Sequence, residues 1–369
     1  QTMNVLCVAE KPSVASALSN ILSHHFGQPI TGYLAPHTKS SRWSSRMVLA
    51  YMDSRTITGT PPSMVWTPEK FEWLISHKSQ DGKTTLDLMF DSVLLIGYVW
   101  FEKQFWPGID PTAMNQSDWQ QYASLQFTSG VNNLDKAAAT VGEELDIPDY
   151  KTNVVFMIPY PDTRASPWGT INGVTLDFSN NVDRITACNW YVDRIISMWN
   201  TVNPQHVRNI GFYWFLEEIP DGDDEGKLIS SVATHIHSLG SQYTFHWISY
   251  FGAKGYSIGY QLGFDVITYQ PNYAFRNTSI DRFQAVAEQA TTFHMGVELE
   301  LPLSVNNPSV SGWKENMDNY LAASVAFHFN TQSMLTFYYG NDFVEMAKSN
   351  WLYYQKLYWL VRGTFPNAP

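Results

Sequence analysis

The chain has few of the residues that several protein classes require. Only two cysteines, Cys7 and Cys188, occur among 369 residues, so the sequence has neither a disulfide framework nor a cysteine-rich metal site. No apolar run reaches the roughly 18 residues that a membrane-spanning helix needs. The ten histidines show no HExxH pattern or other metal-ligand spacing. We therefore expect a globular protein that needs no cofactor or metal and has no membrane span.

Positive charge is scarce as well. The sequence contains 23 Lys and Arg residues against 34 Asp and Glu residues, a formal net charge of -11. Because nucleic acids and anionic membranes attract clustered Lys and Arg, this balance argues against both as the main partner and favours neutral or basic ligands. Aromatic residues are abundant instead, with 14 Trp, 20 Tyr and 21 Phe. Such rings either fill a large core or stack on the apolar faces of sugars.

Short apolar runs alternate with helical patterns from Met47 onward, which predicts eight successive βα units. The predicted strands are Met47–Tyr51, Phe90–Ile96, Asn153–Ile158, Asn209–Phe215, Thr244–Ile248, Asp265–Tyr269, Gly296–Leu301 and Met334–Tyr338. The clearest predicted helices are Val131–Leu145, Asn189–Asn200, Glu225–Leu239, Ile280–Thr292, Lys314–Phe327 and Asp342–Val361. Eight units over roughly 320 residues indicate an α/β fold, a single (β/α)₈ TIM barrel. A doubly wound open sheet competes with it, but no GxGxxG motif follows the first strand.

Two of the predicted strands end in carboxylates. Because side chains alternate across a strand, the apolar residues of "GFYWFLEEI" and "MGVELELP" define the face toward the helices. The opposite face then carries Glu217 on the fourth strand, and Glu298 and Glu300 on the seventh. In a TIM barrel the chemistry lies at the carboxyl ends of the strands. We therefore expect these side chains at the barrel mouth.

Glycoside hydrolysis needs two such carboxyl groups. One protonates the departing glycosidic oxygen, and the second attacks or stabilises the oxocarbenium-like centre. Glu217 and Glu298 are the predicted catalytic pair. Glu300 shares the face of Glu298 and stays a candidate. The alternative for each carboxylate is a structural ion pair with an Arg or Lys inside the barrel.

Aromatic and polar residues near the predicted strand ends suggest a carbohydrate cleft. Sugars present apolar C–H faces that stack on aromatic rings, and hydroxyls that accept and donate hydrogen bonds. We expect the following substrate-binding residues: Trp100, Tyr160, Asp162, Arg164, Tyr250, Tyr269, Gln270, Asn272 and Glu300. For any single aromatic residue, packing beneath a loop is an equally ordinary role.

Several motifs in order resemble one bacterial family. The stretches "FDSVLLIGYVWFEKQFWPG", "VVFMIPYPD", "GFYWFLEE" and "GVELELP" are similar to the family known as domain of unknown function 4855, over about Arg46 to Arg362. This resemblance implies a barrel laid out like those of glycoside hydrolases and action on polysaccharide. It also implies that Glu217 is the Glu of the family's Tyr-Trp-x-x-Glu motif. Leu216 stands where the largest retaining glycosidase clan has Asn before its Glu.

The first 45 residues are a separate question. "MNVLCVAEKPSVASALSNIL", from Met3 to Leu22, resembles the opening strand and helix of the Toprim domain of type IA topoisomerases, whose catalytic Glu corresponds to Glu10. Because nothing basic or of topoisomerase length follows, we interpret residues 1–45 as a lead segment, possibly appended to a barrel over residues 46–369. The start at Gln1 lacks the pattern of a signal peptide, so any signal is absent or removed. A secreted or cell-surface location is an expectation.

These features together predict a glycoside hydrolase that acts on an oligo- or polysaccharide, with Glu217 as general acid/base and Glu298 as nucleophile or second carboxylate. The narrow mouth of a barrel favours the short carboxyl separation of retaining enzymes. A non-catalytic carbohydrate-binding barrel is the main alternative, and a nucleic-acid enzyme is a distant third. The sequence leaves the sugar, the linkage and the oligomeric state open.

Overall fold

The structure is a computed structural model that describes residues 45–53, 66–275, 278–303, 312–340 and 343–367. Its centre is a closed barrel of eight parallel strands, each paired with its neighbours in chain order. The strands are β1 (Arg46–Tyr51), β2 (Ser92–Ile96), β3 (Thr152–Ile158), β4 (Val207–Trp214), β5 (Thr244–Tyr250), β6 (Val266–Gln270), β7 (Gly296–Glu300) and β8 (Leu335–Tyr338). The predicted (β/α)₈ fold is confirmed, and each predicted strand end lies within two residues of the observed one.

Helices follow the strands around the outside of the barrel. They are α1 (Pro68–Ile75), α2 (Gln116–Leu125), α3 (Asn132–Glu144), α4 (Asn181–Val202), α5 (Asp223–Ser238), α6 (Arg282–Thr292), α7 (Trp313–Ala326), α8 (Phe329–Gln332), α9 (Phe343–Ser349) and α10 (Trp351–Val361). A π-helical segment, Gln126–Val131, joins α2 to α3. Within the described ranges, no helix combines the length and apolar composition needed to cross a membrane.

The structure departs from the predicted helices in several places. The expected helix Asp342–Val361 is two helices that meet at Asn350, and Asp342 itself lies outside the described residues. Helix α4 begins at Asn181, eight residues before the predicted Asn189. Helices α1 and α2 and the short α8 were not predicted; α1 has only eight residues, and α2 has few buried apolar residues. Three short hairpins also went unpredicted: Ser76–Lys78 with Thr85–Leu88, Val99–Trp100 with Lys103–Gln104, and Gly169–Ile171 with Val174–Leu176.

Strand register brings the carboxyl ends of the strands to one rim. Tyr51 at the end of β1 pairs with Ile96 at the end of β2, and Glu300 at the end of β7 pairs with Tyr338 at the end of β8. Below this rim, side chains fill the interior of the barrel, as in other barrels of eight strands. Thr268 of β6 and Thr336 of β8 meet there, with their hydroxyl oxygens 2.9 Å apart. The rim therefore surrounds a cavity whose floor is formed by packed side chains.

Strand β4 bends before it reaches the rim. Its register against β3 shifts between Asn209 and Gly211, and Gly211 has a φ of 147°, which only glycine adopts readily. A Cβ atom at Gly211 would lie 1.9 Å from the backbone oxygen of Thr244. Glycine at this position therefore lets β4 and β5 approach closely and sets the direction of the segment that carries Tyr213 and Glu217.

We expect Gly211→Ala to lower the free energy of unfolding by more than about 2 kcal/mol, because the new methyl group overlaps backbone that cannot move without disrupting the barrel. Thermal and denaturant unfolding would measure the change. Gly173→Ala is the matched control, since Gly173 also has a positive φ, 79°, but has no atom within 4 Å of the added Cβ. Equal loss in the two variants would show that backbone conformation alone accounts for the effect.

Candidate active site

A cavity of about 790 Å³ opens at the carboxyl end of the barrel. Its size falls within the roughly 300–1,000 Å³ typical of ligand sites. The residues that line it come from strand ends and from the loops that follow them: Leu49, Tyr51, Asp53, Ile96, Tyr98, Trp106, Tyr213, Glu217, Ile248, Gln270, Asn272, Phe275, Glu298, Glu300, Tyr338 and Gly340. We call this space the mouth cavity.

Three glutamates share the mouth cavity. Glu217 follows the end of β4, whereas Glu298 and Glu300 lie on one face of β7. Glu298 is 3% exposed and Glu300 is 1% exposed, while Glu217 keeps partial exposure but is surrounded by dense packing. The structure thus brings the predicted pair, Glu217 and Glu298, into the same cavity at the same end of the barrel.

Neutral donors hold the three carboxyl groups. The Thr336 hydroxyl donates to Glu298 Oε2 over 3.1 Å, the Tyr320 hydroxyl donates to Glu300 Oε2, and the Gln270 amide lies near enough to Glu217 to favour its ionised form slightly. Across the described part of the chain, none of the three makes an ion pair with Lys, Arg or His. The structural ion pairs that were the alternative role for these carboxylates are therefore not formed by the described residues.

Burial without a cationic partner changes the acidity of these groups. Burial raises the pKa of Glu217 to about 7, and burial raises that of Glu300 to about 8. Burial also raises the pKa of Glu298 well above its ordinary value, and repulsion from the Glu300 and Glu217 carboxylates adds to the effect. The cavity thus holds protons at neutral pH that isolated carboxyl groups would release.

This acidity makes stability depend on pH with a definite sign. Between the ordinary carboxyl pKa of 4.5 and the raised values of about 7 and about 8, the folded chain binds more protons than the unfolded chain. Stability from these groups is full below about pH 4.5 and falls as pH rises, by about 1.4 kcal/mol per group and pH unit. We expect the melting temperature of the triple variant Glu217→Gln, Glu298→Gln, Glu300→Gln to fall less between pH 5 and pH 8 than that of the wild type.

Glutamine cannot ionise, so the triple variant lacks the pH-dependent penalty of three buried negative charges. The exposed Glu143 of α3 supplies the control Glu143→Gln, for which we expect the wild-type profile. Parallel profiles for the wild type and the triple variant would contradict the raised acidities.

Aromatic side chains form much of the wall of the mouth cavity. Tyr51 and Tyr338 meet edge to face with ring centroids 5.8 Å apart, and Phe275 packs against Tyr338 at 5.6 Å. Phe275 is 55% exposed. Trp106 stands in the loop after β2 and packs edge to face on Phe215. The cavity therefore offers both exposed ring faces and buried carboxyl groups.

Four aromatic residues that we expected in the cleft do not line the mouth cavity. Trp100 is buried against Tyr122, and the Tyr250 hydroxyl donates to Glu218. Tyr160 lies past the end of β3 and Tyr269 points outward from β6; the Tyr160 hydroxyl bonds Glu225 of α5 and the Tyr269 hydroxyl bonds Gln289 of α6. The expected place of the four rings in the cleft was wrong, because Trp100, Tyr160 and Tyr269 contact the surrounding helices and Tyr250 contacts the loop after β4.

The polar candidates divide in the same way. Gln270, Asn272 and Glu300 line the mouth cavity. Asp162 and Arg164 do not, because they bind each other in the loop after β3, with 2.7 Å between Arg164 Nη2 and Asp162 Oδ2. Their expected contact with the cavity was also wrong, since this pair stabilises its own loop.

Other lining residues were absent from the predicted site. They are Tyr51, Tyr98, Trp106, Tyr213, Phe275 and Tyr338, together with Asp53, whose Oδ1 accepts hydrogen bonds from the backbone N–H groups of Tyr98 and Val99. Alternation along the strands carries the signal for Tyr51, which shares a face with the lining residue Leu49. No pattern in the sequence singles out Phe275. In the described residues, no three His, Cys, Asp or Glu side chains are placed to hold a metal ion.

The fold and the cavity define a (β/α)₈ barrel of the architecture found in glycoside hydrolases. The sequence model of the family "Domain of unknown function (DUF4855)" matches residues 47–361. The chain therefore belongs to the DUF4855 family, as its motifs indicated. No curated protein matches it in sequence.

Solved structures with a similar fold include barrels named as glycoside hydrolases. A "putative alpha-L-fucosidase" from Bacteroides thetaiotaomicron is 9% identical, with a TM-score of 0.50 and coverage of 86% of this chain and 94% of that one. A psychrophilic glycoside hydrolase family 10 endo-β-1,4-xylanase is 9% identical, with a TM-score of 0.42 and coverage of 80% and 86%. The GH53 catalytic domain from Ignisphaera aggregans is 11% identical, with a TM-score of 0.42 and coverage of 83% and 87%. At these identities the likeness concerns the fold alone.

Proposed function

We propose that the protein is a glycoside hydrolase that acts on an oligo- or polysaccharide in the mouth cavity. The observation that carries the proposal is the meeting of Glu217 from β4 with Glu298 and Glu300 from β7 in one cavity, without a cationic side chain among the described lining residues. Carboxyl groups held in this way can serve as acid, base or nucleophile, because no ion pair has to be broken first.

Glu217 fits the role of general acid/base. A catalytic acid works best with a pKa near the working pH, and burial brings that of Glu217 to about 7. Gln270, which also lines the cavity, lies beside the carboxyl group. Partial exposure to the cavity lets it donate its proton to a glycosidic oxygen and afterwards, as a carboxylate, take a proton from the incoming water.

Glu298 fits the role of nucleophile or second carboxylate. It lies deeper than Glu300, where the Thr336 hydroxyl fixes one of its oxygens. Burial and its acidic neighbours raise its pKa, so Glu298 releases its proton to solvent before it attacks, and positive charge that develops at the anomeric centre then stabilises the carboxylate. The transition state therefore benefits more from this environment than the neutral ground state does.

Exposed aromatic groups of the mouth cavity supply surfaces for sugar rings. Trp106 and Phe275 enter from the loops after β2 and β6, so they can stack on successive residues of a glycan. Gln270 and Asn272 offer amide groups for hydroxyls. The barrel likeness to glycoside hydrolases supports this proposal at the level of fold. A secreted or cell-surface location would match a polysaccharide substrate and is part of the proposal.

A panel of polysaccharides and oligosaccharides tests the function. We expect new reducing ends from at least one glycan, measured by reducing-sugar assay and chromatography of the products. The double variant Glu217→Gln, Glu298→Gln from the same purification is the control for contaminating hydrolases. Glycan binding by both proteins without any cleavage by the wild type would instead identify a carbohydrate-binding barrel.

A further inference from the structure

The mouth cavity holds more acidic groups than a two-carboxylate reaction uses. Four acidic side chains line it, Asp53, Glu217, Glu298 and Glu300, and the described lining residues include no Lys, Arg or His. Asp53 accepts two backbone N–H groups, which gives it a structural role in the loop after β2. Glu217 and Glu298 have roles in the proposed reaction. Glu300 is left without one.

Glu300 is built into the cavity wall with one oxygen free of a normal hydrogen bond. Its Oε2 accepts the hydroxyl of Tyr320 from α7, and Asn316 of the same helix donates to the Glu300 backbone oxygen over 3.0 Å. The backbone N–H groups of Asn272 and Tyr273 approach the carboxyl group, but Oε1 has no hydrogen bond of normal geometry. The residue is 1% exposed and lines the cavity. An ionised acceptor of this kind is costly to bury, so the group keeps a proton unless a ligand supplies a donor and a compensating charge.

We propose that the substrate is a glycan of amino sugars with free primary amines, and that the Glu300 carboxyl group binds the ammonium group of one sugar. This inference rests on the proposed glycosidase function and names its substrate class. An ammonium group supplies both the missing hydrogen-bond donor and the missing positive charge. Charge-assisted hydrogen bonds of this type are shorter and stronger than those from a sugar hydroxyl.

The position of Glu300 relative to Glu298 suits a substituent beside the reacting carbon. Two residues along a strand separate side chains by about 6.6 Å on the same face, roughly the width of one sugar ring. A sugar whose anomeric carbon lies near Glu298 would therefore place a ring substituent, or that of the next sugar, near Glu300. Tyr338, which pairs with Glu300 in strand register, presents a ring that also attracts cations.

The same charges select against other glycans. Uronic acids, sulfated sugars and phosphorylated sugars would meet four acidic side chains and a chain of net charge -11 without a cation among the described lining residues. N-acetylated sugars lack the positive charge that would compensate Glu300. Neutral sugars could enter the cavity, but they would offer the Glu300 carboxyl group no ammonium donor.

Matched oligosaccharides test the substrate class. The probes are a β-1,4 glucosamine hexamer, the N-acetylglucosamine hexamer and cellohexaose, each measured for binding by calorimetry to Glu217→Gln and for cleavage by the wild type. We expect the glucosamine hexamer to bind about 10- to 100-fold more tightly than the other two. The further change Glu300→Gln should remove that preference, and Glu300→Asp, which keeps the charge, should retain part of it.

Glu218→Gln is the matched control for charge. Glu218 is adjacent to Glu217 in sequence but does not line the cavity, and its carboxylate accepts the Tyr250 hydroxyl. We expect this variant to keep the preference for the glucosamine hexamer. If Glu218→Gln and Glu300→Gln lost the preference for the glucosamine hexamer equally, general electrostatic attraction would explain it. That result would overturn the assignment of the ammonium contact to Glu300.

The outcomes separate this inference from the proposed function. Cleavage of neutral or N-acetylated glycans, with no preference for free amines in binding or turnover, overturns the amino-sugar assignment and leaves the hydrolase intact. If no glycan is cleaved, the result counts against the hydrolase function. The ammonium contact is then tested by binding alone: calorimetry should still show the preference for the glucosamine hexamer, and Glu300→Gln should abolish it.

Discussion

Glu217→Gln is expected to lower kcat on a polysaccharide by about 10²- to 10⁴-fold, the usual contribution of a general acid. The loss should be much smaller on a nitrophenyl glycoside of the same sugar, because nitrophenolate departs without being protonated. Comparison of the two substrates measures the acid role directly. Glutamine preserves the shape of the side chain, so binding of substrate should change little.

The pH profile gives a second signature of the same residue. Because burial raises the pKa of Glu217 to about 7, its acid form is lost as pH rises through about 7, and kcat of the wild type should fall there. The remaining activity of Glu217→Gln should lack this fall. An equal loss on both substrates, with an unchanged profile, would show that Glu217 positions the substrate and does not transfer the proton. Glu218→Gln serves as the control and should keep nearly full activity.

The fold was predictable because the barrel strands are short, apolar and evenly spaced. Every residue of β2, β3, β6 and β7 is buried. Strands buried on both faces have mostly apolar sequences, and such short runs are easily distinguished from amphipathic helices. Helix α2 was missed because its polar residues Gln116, Ser117 and Gln120 give weak periodicity and its start is fixed by the side-chain cap of Asn115. Capping of this kind depends on loop conformation, which one sequence does not reveal.

The glutamates of the site were predictable from strand alternation, and the same rule explains the errors. Gln270 faces the cavity, so Tyr269 beside it in β6 must face the helices. Tyr160 lies past the end of β3, where alternation no longer applies, and its direction is set by Arg184 and Glu225 on neighbouring helices. Contacts of this sort join residues far apart in sequence. The pattern of one strand cannot indicate them.

The three glutamates also show why sequence alone could not rank Glu298 against Glu300. Both face inward on β7, and they differ only in their partners, Thr336 for Glu298 and Tyr320 for Glu300. Tyr320 belongs to a helix that follows β7, so it fixes Glu300 from the side of the rim. Glu298 rests on the packed threonine floor. From this difference we propose the reaction for Glu298 and substrate binding for Glu300.

Glu298→Gln is expected to lower kcat by at least about 10⁴-fold on polysaccharide and nitrophenyl glycoside alike, because loss of a nucleophile blocks the first chemical step with any leaving group. Glu300→Gln should reduce turnover far less and should change substrate preference instead. The comparison of the two variants on both substrates measures the division of roles. The reverse result, with turnover lost in Glu300→Gln and kept in Glu298→Gln, would place the nucleophile at Glu300.

The stereochemistry of the product tests the same assignment independently. Carboxyl groups about 5 to 5.5 Å apart support a covalent intermediate and retention, whereas about 6.5 to 9.5 Å leaves room for the water of an inverting enzyme. The Glu217 carboxylate lies near enough to Glu298 to help raise its pKa, so we propose retention. ¹H NMR of the first product should show the anomeric proton of the substrate configuration. The inverted anomer would mean that Glu298 acts as a base on water, and its variant should then lose turnover without any trapped intermediate.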